Sequence, residues 1–137
     1  MAASTVIIVL KTLSLIKSAD RDGRTQAYLK ISCNGKEPIS TEIVNTQNKI
    51  VKWNNVEYRC GVEDINNVSI KFDLYDKELL TADDFMGSNT VRFNSDNKLT
   101  TKANENKVHI HKKVGKRQDE VGHLHYIIRY TNSTNKI

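Results

Sequence analysis

Asp76, Glu78, Asp83 and Asp84 place four carboxylates within nine residues, in the segment Asp76-Lys77-Glu78-Leu79-Leu80-Thr81-Ala82-Asp83-Asp84-Phe85-Met86-Gly87. Carboxylates held a few ångströms apart repel one another, and a hard divalent cation that takes roughly six to eight oxygen ligands relieves that repulsion. Calcium is the natural occupant. An acidic loop by itself says little, because solvated acidic turns are common in soluble proteins. A second acidic turn, Ser18-Ala19-Asp20-Arg21-Asp22-Gly23-Arg24, adds weight, since it again sets aspartate before a glycine where one expected strand ends and the next begins.

Strands must position both turns. Period-two alternation is clear in Ala27-Leu29-Ile31-Cys33, Val56-Tyr58-Cys60, Val68-Ile70-Phe72-Leu74 and Leu124-Tyr126-Ile128-Tyr130. Val6 to Leu15, Ile39 to Val44, Asn89 to Phe93 and Lys107 to His111 complete a set of eight short strands. Asn, Asp, Ser and Thr punctuate them, with Pro38 the single proline. The expectation is an all-β, eight-stranded antiparallel β-sandwich. Asn94 to Lys107 reads as a polar, mobile loop with room for a helical turn, residues 1–130 as one domain, and residues 131–137 as a short frayed tail.

A chain of 137 residues suits one domain with a real core. No stretch approaches the roughly 20 apolar residues of a membrane span. The run Val6-Ile7-Ile8-Val9-Leu10 lacks a preceding positive charge and is interrupted by Lys11, so it reads as a buried strand and not as a leader. Cys33 and Cys60 have no metal-ligand spacing and lie in alternating patterns, which makes them buried reduced thiols of a cytosolic protein. A net charge of +5 favours an acidic partner, whether nucleic acid, anionic lipid or protein. Nucleic acid is disfavoured, because only 7% of residues are aromatic and Tyr28, Tyr58 and Phe72 fall on strand patterns that packing explains. Catalysis is disfavoured as well: there is no Gly-rich phosphate loop, nucleophile motif or His-Glu metal signature.

The two acidic turns, with Lys52-Trp53-Asn54 between them, resemble in order and spacing the C2 domains of protein kinase C and the synaptotagmins, over about Thr5 to Tyr130. In the first turn Asp20, Gly23 and Tyr28 match the family, whereas Gln26 and Ala27 stand where it carries Asp-Pro. In the later one Asp76, Glu78 and Asp84 fall on ligand positions, and Asp-Asp-Phe-Met-Gly is the most specific match. Trp53-Asn54 is similar to the family's core anchor. The order of elements resembles the type II arrangement.

The resemblance implies that Asp20, Asp76, Glu78 and Asp84 hold one or two calcium ions, with the Lys77 carbonyl an added ligand and Gln26 and Asp83 secondary candidates. It implies weak calcium affinity in solution, tightened when an anionic membrane of phosphatidylserine or phosphoinositide fills open positions. Leu79 and Leu80 would insert into lipid, and Arg21 and Arg24 would meet phosphates. Lys112, Lys113, Lys116 and Arg117 form a basic connection before the last strand, a further candidate for lipid. Lys30, Lys36 and Lys52 match the family's basic strand face loosely. A monomeric module is expected, cytoplasmic and reversibly bound to the inner face of membranes. The alternative is a C2 adaptor freed from calcium that binds a protein partner or phosphoinositide through its basic surface. Gln26 and Glu78 favour that alternative, and the retained Asp20, Asp76 and Asp84 oppose it.

His109-x-His111 and His123-x-His125 would each share one strand face, a spacing that suits zinc. The resemblance places the two strands in different sheets, so the pairs need not converge, and exposed strand histidines are the favoured reading.

Overall fold

Alternating apolar residues produce strands with one buried face, and β6 (Val68–Asp76) shows the rule, with residues 68, 70, 72, 74 and 76 buried and the intervening ones not. The computed structural model describes residues 3–16, 25–46 and 48–132, with only the backbone at Asn55. The other strands are β1 (Ser4–Leu15), β2 (Gln26–Cys33), β3 (Ile39–Ser40), β4 (Val44–Asn45), β5 (Ile50–Val62), β7 (Asp84–Phe93), β8 (Asn104–Val114) and β9 (Arg117–Asn132). No helix occurs among the described residues.

All pairings are antiparallel, in the order β3-β2-β6-β7-β8-β9-β1-β5, with β4 also on β2. Ser88↔His111 is the one residue pair joining β7 to β8. The order therefore curls there into two layers, β3-β2-β6-β7 and β8-β9-β1-β5, whose inner faces share one core. Phe72 of β6 meets Tyr126 of β9 across that core at 5.2 Å between ring centroids. Each fully buried side chain such as Phe72, Leu29 or Ile128 contributes about 1.5–3 kcal/mol to holding the layers together.

Three departures from the expected strands have local causes. The expected strand Ile39 to Val44 is split into β3 and β4 by Thr41, whose backbone N–H donates to the Leu29 carbonyl at 2.8 Å and whose Oγ1 accepts from the Leu29 N–H at 2.9 Å. A side chain thus replaces one rung of the ladder. In β1 the register against β9 shifts between Leu10, paired with Tyr126, and Thr12, paired with His125, so the exposed Lys11 is the extra residue of that ladder. The inward set accordingly changes from Val6, Ile8 and Leu10 to Leu13 and Leu15. The stretch expected as a mobile loop with a helical turn contains neither helix nor free loop along its whole length: Leu99 is buried in the core, Asn94 Oδ1 accepts from the N–H groups of Asp96 and Asn97, and β8 begins at Asn104. At the other end β9 runs through Asn132, two residues beyond the expected domain limit.

The expectation that the two histidine strands lie in different sheets is corrected. β8 and β9 pair from Asn104↔Ile128 to Val114↔Arg117 and close in a hairpin at Gly115-Lys116, where Gly115 takes the left-handed φ of 62° that such two-residue turns favour. Lys112 and Lys113 therefore belong to β8 and Arg117 to β9, and only the tip of the basic segment is a connection.

Candidate metal centre

β6 ends at the buried Asp76, and β7 starts at Asp84, directly opposite it in the ladder. Directly opposed residues of an antiparallel pair project to the same side, and like charges there destabilise the pair. Glu78, two residues into the connection, joins them: Asp76, Glu78 and Asp84 each bring a carboxylate oxygen to within 4.8 Å of the others. Two like charges about 4 Å apart repel by about 1 kcal/mol in water and about 4 kcal/mol near a protein surface. An all-oxygen, anionic donor set of this kind fits a hard cation such as calcium.

Asp83 has a different task from its neighbours. Its Oδ1 accepts from the Glu78 N–H at 2.9 Å, its Oδ2 accepts from the Tyr28 hydroxyl at 2.5 Å, and Lys77 Nζ lies 3.6 Å from Oδ1. The Glu78 N–H first, then the Tyr28 hydroxyl and Lys77, hold the Asp83 carboxyl below the usual carboxylate range. Burial first, then Asp83, pushes the Tyr28 hydroxyl up to about 12. Asp83 thereby ties the end of the connection to its beginning, and it stands outside the three-carboxylate group.

Gln26 reaches the site through its backbone. Its N–H donates to Asp76 Oδ1 at 2.9 Å and its carbonyl accepts from the Lys77 N–H at 2.9 Å, while the residue itself is exposed. The start of β2 thus orients the Asp76 carboxylate, a role that is independent of the side chain at position 26. Tyr28 stacks on Tyr75 at 5.4 Å, Phe85 meets Tyr75 edge-on at 5.5 Å, and Lys30 Nζ lies 4.9 Å from the Tyr75 ring centroid. This aromatic row under the acidic connection was not foreseen from the sequence; the alternation of residues 28, 30, 73 and 75 on the face opposite Leu29 and Leu74 is the signal that held it.

The tip of the same connection carries Leu79 and Leu80, 90% and 94% exposed. Met86 is the extra residue of the β6–β7 register shift, and Gly87 permits the close approach of β8: a Cβ there would lie 2.7 Å from the His111 carbonyl oxygen. Gly87 therefore lies where β7 meets β8, three residues after Asp84. Trp53 is 4% exposed within the core, as the anchor reading expects. Among the basic residues, Lys112, Lys113 and Lys116 are exposed on the β8–β9 hairpin, and Arg117 Nε donates to Asp119 Oδ1 at 2.8 Å. Asp20, Arg21 and Arg24 lie outside the described residues. Cys33 and Cys60 are free thiols, the first buried and the second half-buried.

Two antiparallel layers around one core, with an acidic cluster at the β6–β7 connection, define a β-sandwich. The C2 domain family profile matches residues 4–112, and the chain belongs to the C2 domain family. Among solved structures it is similar to the C2A domain of plant extended synaptotagmin 1 at a TM-score of 0.79 and 17% identity, covering 96% of this chain and 97% of that one. It is also similar to a structure described only as a C2 domain, at a TM-score of 0.69 and 19% identity over 93% of this chain and 98% of that one. Human GIVD cytosolic phospholipase A2 in complex with methyl gamma-linolenyl fluorophosphonate aligns at a TM-score of 0.77 and 11% identity, over 98% of this chain but only 18% of the phospholipase. At these identities the likeness is one of fold. No curated protein sequence matches the chain.

Proposed function

We propose that this C2 domain binds anionic phospholipid membranes in a calcium-dependent manner, and that Asp76, Glu78 and Asp84 hold the ion. The convergence of these three carboxylates in the connection whose tip exposes Leu79 and Leu80 carries the reading. Asp20 is assigned as a further ligand from the first acidic turn, and the Lys77 carbonyl as another. Bound calcium supplies positive charge and coordination positions that headgroup oxygens can complete. The chain's own residues do the rest. Gln26 N–H and the β6–β7 ladder hold the carboxylates in place, Asp83 closes the connection, and the leucines supply apolar surface for the bilayer.

Arg21 and Arg24 on the first turn, and Lys112, Lys113 and Lys116 on the hairpin, are assigned to headgroup contact at roughly 1 kcal/mol each. The seat of action is the cytoplasmic face of a membrane, occupied reversibly. The placement of β9 between β1 and β8 supports the type II reading of the strand order. Sedimentation with phosphatidylserine liposomes tests the function. Binding should require calcium and should be lost when Asp76→Asn is combined with Asp84→Asn. Binding indifferent to both calcium and the double substitution would assign the chain instead to calcium-independent adaptors.

A further inference from the structure

All four histidines of the chain lie on the β8–β9 hairpin. The register sets His109 directly opposite His123, so both project to one face. It is the outer face, because Val108, Ile110, Leu124 and Tyr126 alternate with them and are buried in the core. The rings form a row, with centroids separated by 6.4 Å from His111 to His109, 5.9 Å from His109 to His123 and 5.2 Å from His123 to His125. The register shift between Ile110 and His111 sets Glu120 across from His111, and Glu120 Oε1 lies 2.9 Å from His109 Nδ1. His109, Glu120 and His123 each offer a ligand atom within 4.8 Å of the others.

The geometry points to a second metal site, for a divalent transition metal such as zinc, formed by His109, Glu120 and His123 on the outer face of the β8–β9 hairpin. Imidazole nitrogens with one carboxylate suit zinc and its first-row neighbours, whereas calcium takes oxygen donors. The two clusters therefore select different ions. Three protein ligands leave a tetrahedral position open to water or to an outside ligand. The site is independent of the calcium reading, since it shares no residue with the acidic connection. His125, Lys107, His109 and Glu120 are the titratable groups that surround the His123 imidazole. Lys107, opposite His125, is the one positive charge among those neighbours that opposes a cation, and Glu120 opposes it in turn.

Calorimetric titration of Zn2+ into the purified chain in calcium-free buffer, paired with ring-nitrogen NMR of the histidines, tests the site. The expected result is saturable binding of one ion with the ring shifts of His109 and His123 moving together. His123→Gln should weaken it by more than the roughly 100-fold that loss of an outer-shell partner costs. Glu120→Gln should weaken it too, and Asp84→Asn should leave it unchanged. Absence of saturable binding would overturn the site, as would zinc binding abolished by Asp84→Asn and retained in His123→Gln, or ring shifts confined to His111 and His125. Thermal melts without metal establish that each variant folds. Should His123→Gln not fold, the ring shifts of the unsubstituted chain decide the matter.

Discussion

Asp84 faces Asp76 across the last rung of the β6–β7 ladder, and the N–H of Gln26 donates to the Asp76 carboxylate from the third strand of the same layer. The arrangement sets two like charges on one side of a ladder, where repulsion opposes pairing. On the proposed function a bound cation offsets that repulsion, and Glu78 completes the group.

Calcium should therefore stabilise the domain, and the gain should depend on those carboxylates. At about 100 times Kd a bound ion adds about 2.7 kcal/mol, worth several degrees in Tm. Differential scanning calorimetry with and without calcium should show this shift in the unsubstituted chain and a nearly flat response in Asp84→Asn. In the absence of calcium, Asp84→Asn should melt no lower than the unsubstituted chain, because it removes a repulsion at an exposed position. An unchanged calcium response in Asp84→Asn would remove that residue from the site.

Replacing Leu79 and Leu80 with serine should separate membrane insertion from ion binding. Fully burying a leucine is worth about 1.5–3 kcal/mol, so each lost side chain should lower liposome partitioning by about tenfold or more. Tm and lipid-free calcium affinity should hardly move, since both side chains are almost wholly exposed. Equal partitioning of the double variant would place the bilayer contact elsewhere.

The tie between Asp83, the Glu78 N–H and the Tyr28 hydroxyl has a definite pH signature. Asp83 is held below its unfolded value of about 3.9, so its contribution to stability is complete above that pH and lost as the pH falls through it towards the folded value. The Tm difference between the unsubstituted chain and Asp83→Asn should be positive at pH 7 and shrink below about pH 3.9. Tyr28 acts in the opposite direction: raised to about 12, it contributes below its unfolded value of about 10, and that contribution declines as the pH rises through the folded one. Tyr28→Phe should soften the alkaline decline without abolishing it, because burial also raises Tyr126 to about 12. A difference between Asp83→Asn and the unsubstituted chain that is constant from pH 7 to pH 3 would refute the tie.

Gly87→Ala should destabilise the fold more than Gly35→Ala. At Gly87 a new methyl would meet the His111 carbonyl oxygen at 2.7 Å beside the single pair that joins β7 to β8, and the backbone there cannot retreat without parting the layers. The cost should reach the upper end of the roughly 1–3 kcal/mol of overpacking. At Gly35, with a φ of 72°, nothing lies within 4 Å, so only the left-handed conformation is penalised, by roughly 1–2 kcal/mol. Urea unfolding midpoints of the two variants decide the comparison.

Much of this was legible because period-two alternation reports burial directly. Val68, Ile70, Phe72 and Leu74 alternate without interruption and lie in the core, and the acidic segment after them had to be the connection leaving that strand. Glycines and punctuating polar residues marked the remaining turns. What alternation could not report was the local exchange of a rung for a side chain at Thr41, or the extra residue Lys11 that β1 carries against β9. A single residue of either kind changes the ladder while leaving the composition of the segment ordinary.

The residues alone determined that the chain is an antiparallel β-sandwich and that Asp76, Glu78 and Asp84 lie in one short segment, since strand periodicity and proximity along the chain are local properties. Only the tertiary structure decided which groups from distant segments meet. Gln26 reaches Asp76 through a backbone N–H, which every residue but proline carries and which therefore leaves no mark in the sequence. Tyr28 reaches Asp83 across 55 positions. His109 comes to lie against His123 because β8 and β9 are neighbours in one layer, and strand neighbourhood is set by how the whole sheet curls to bury its apolar face, not by the spacing of the histidines.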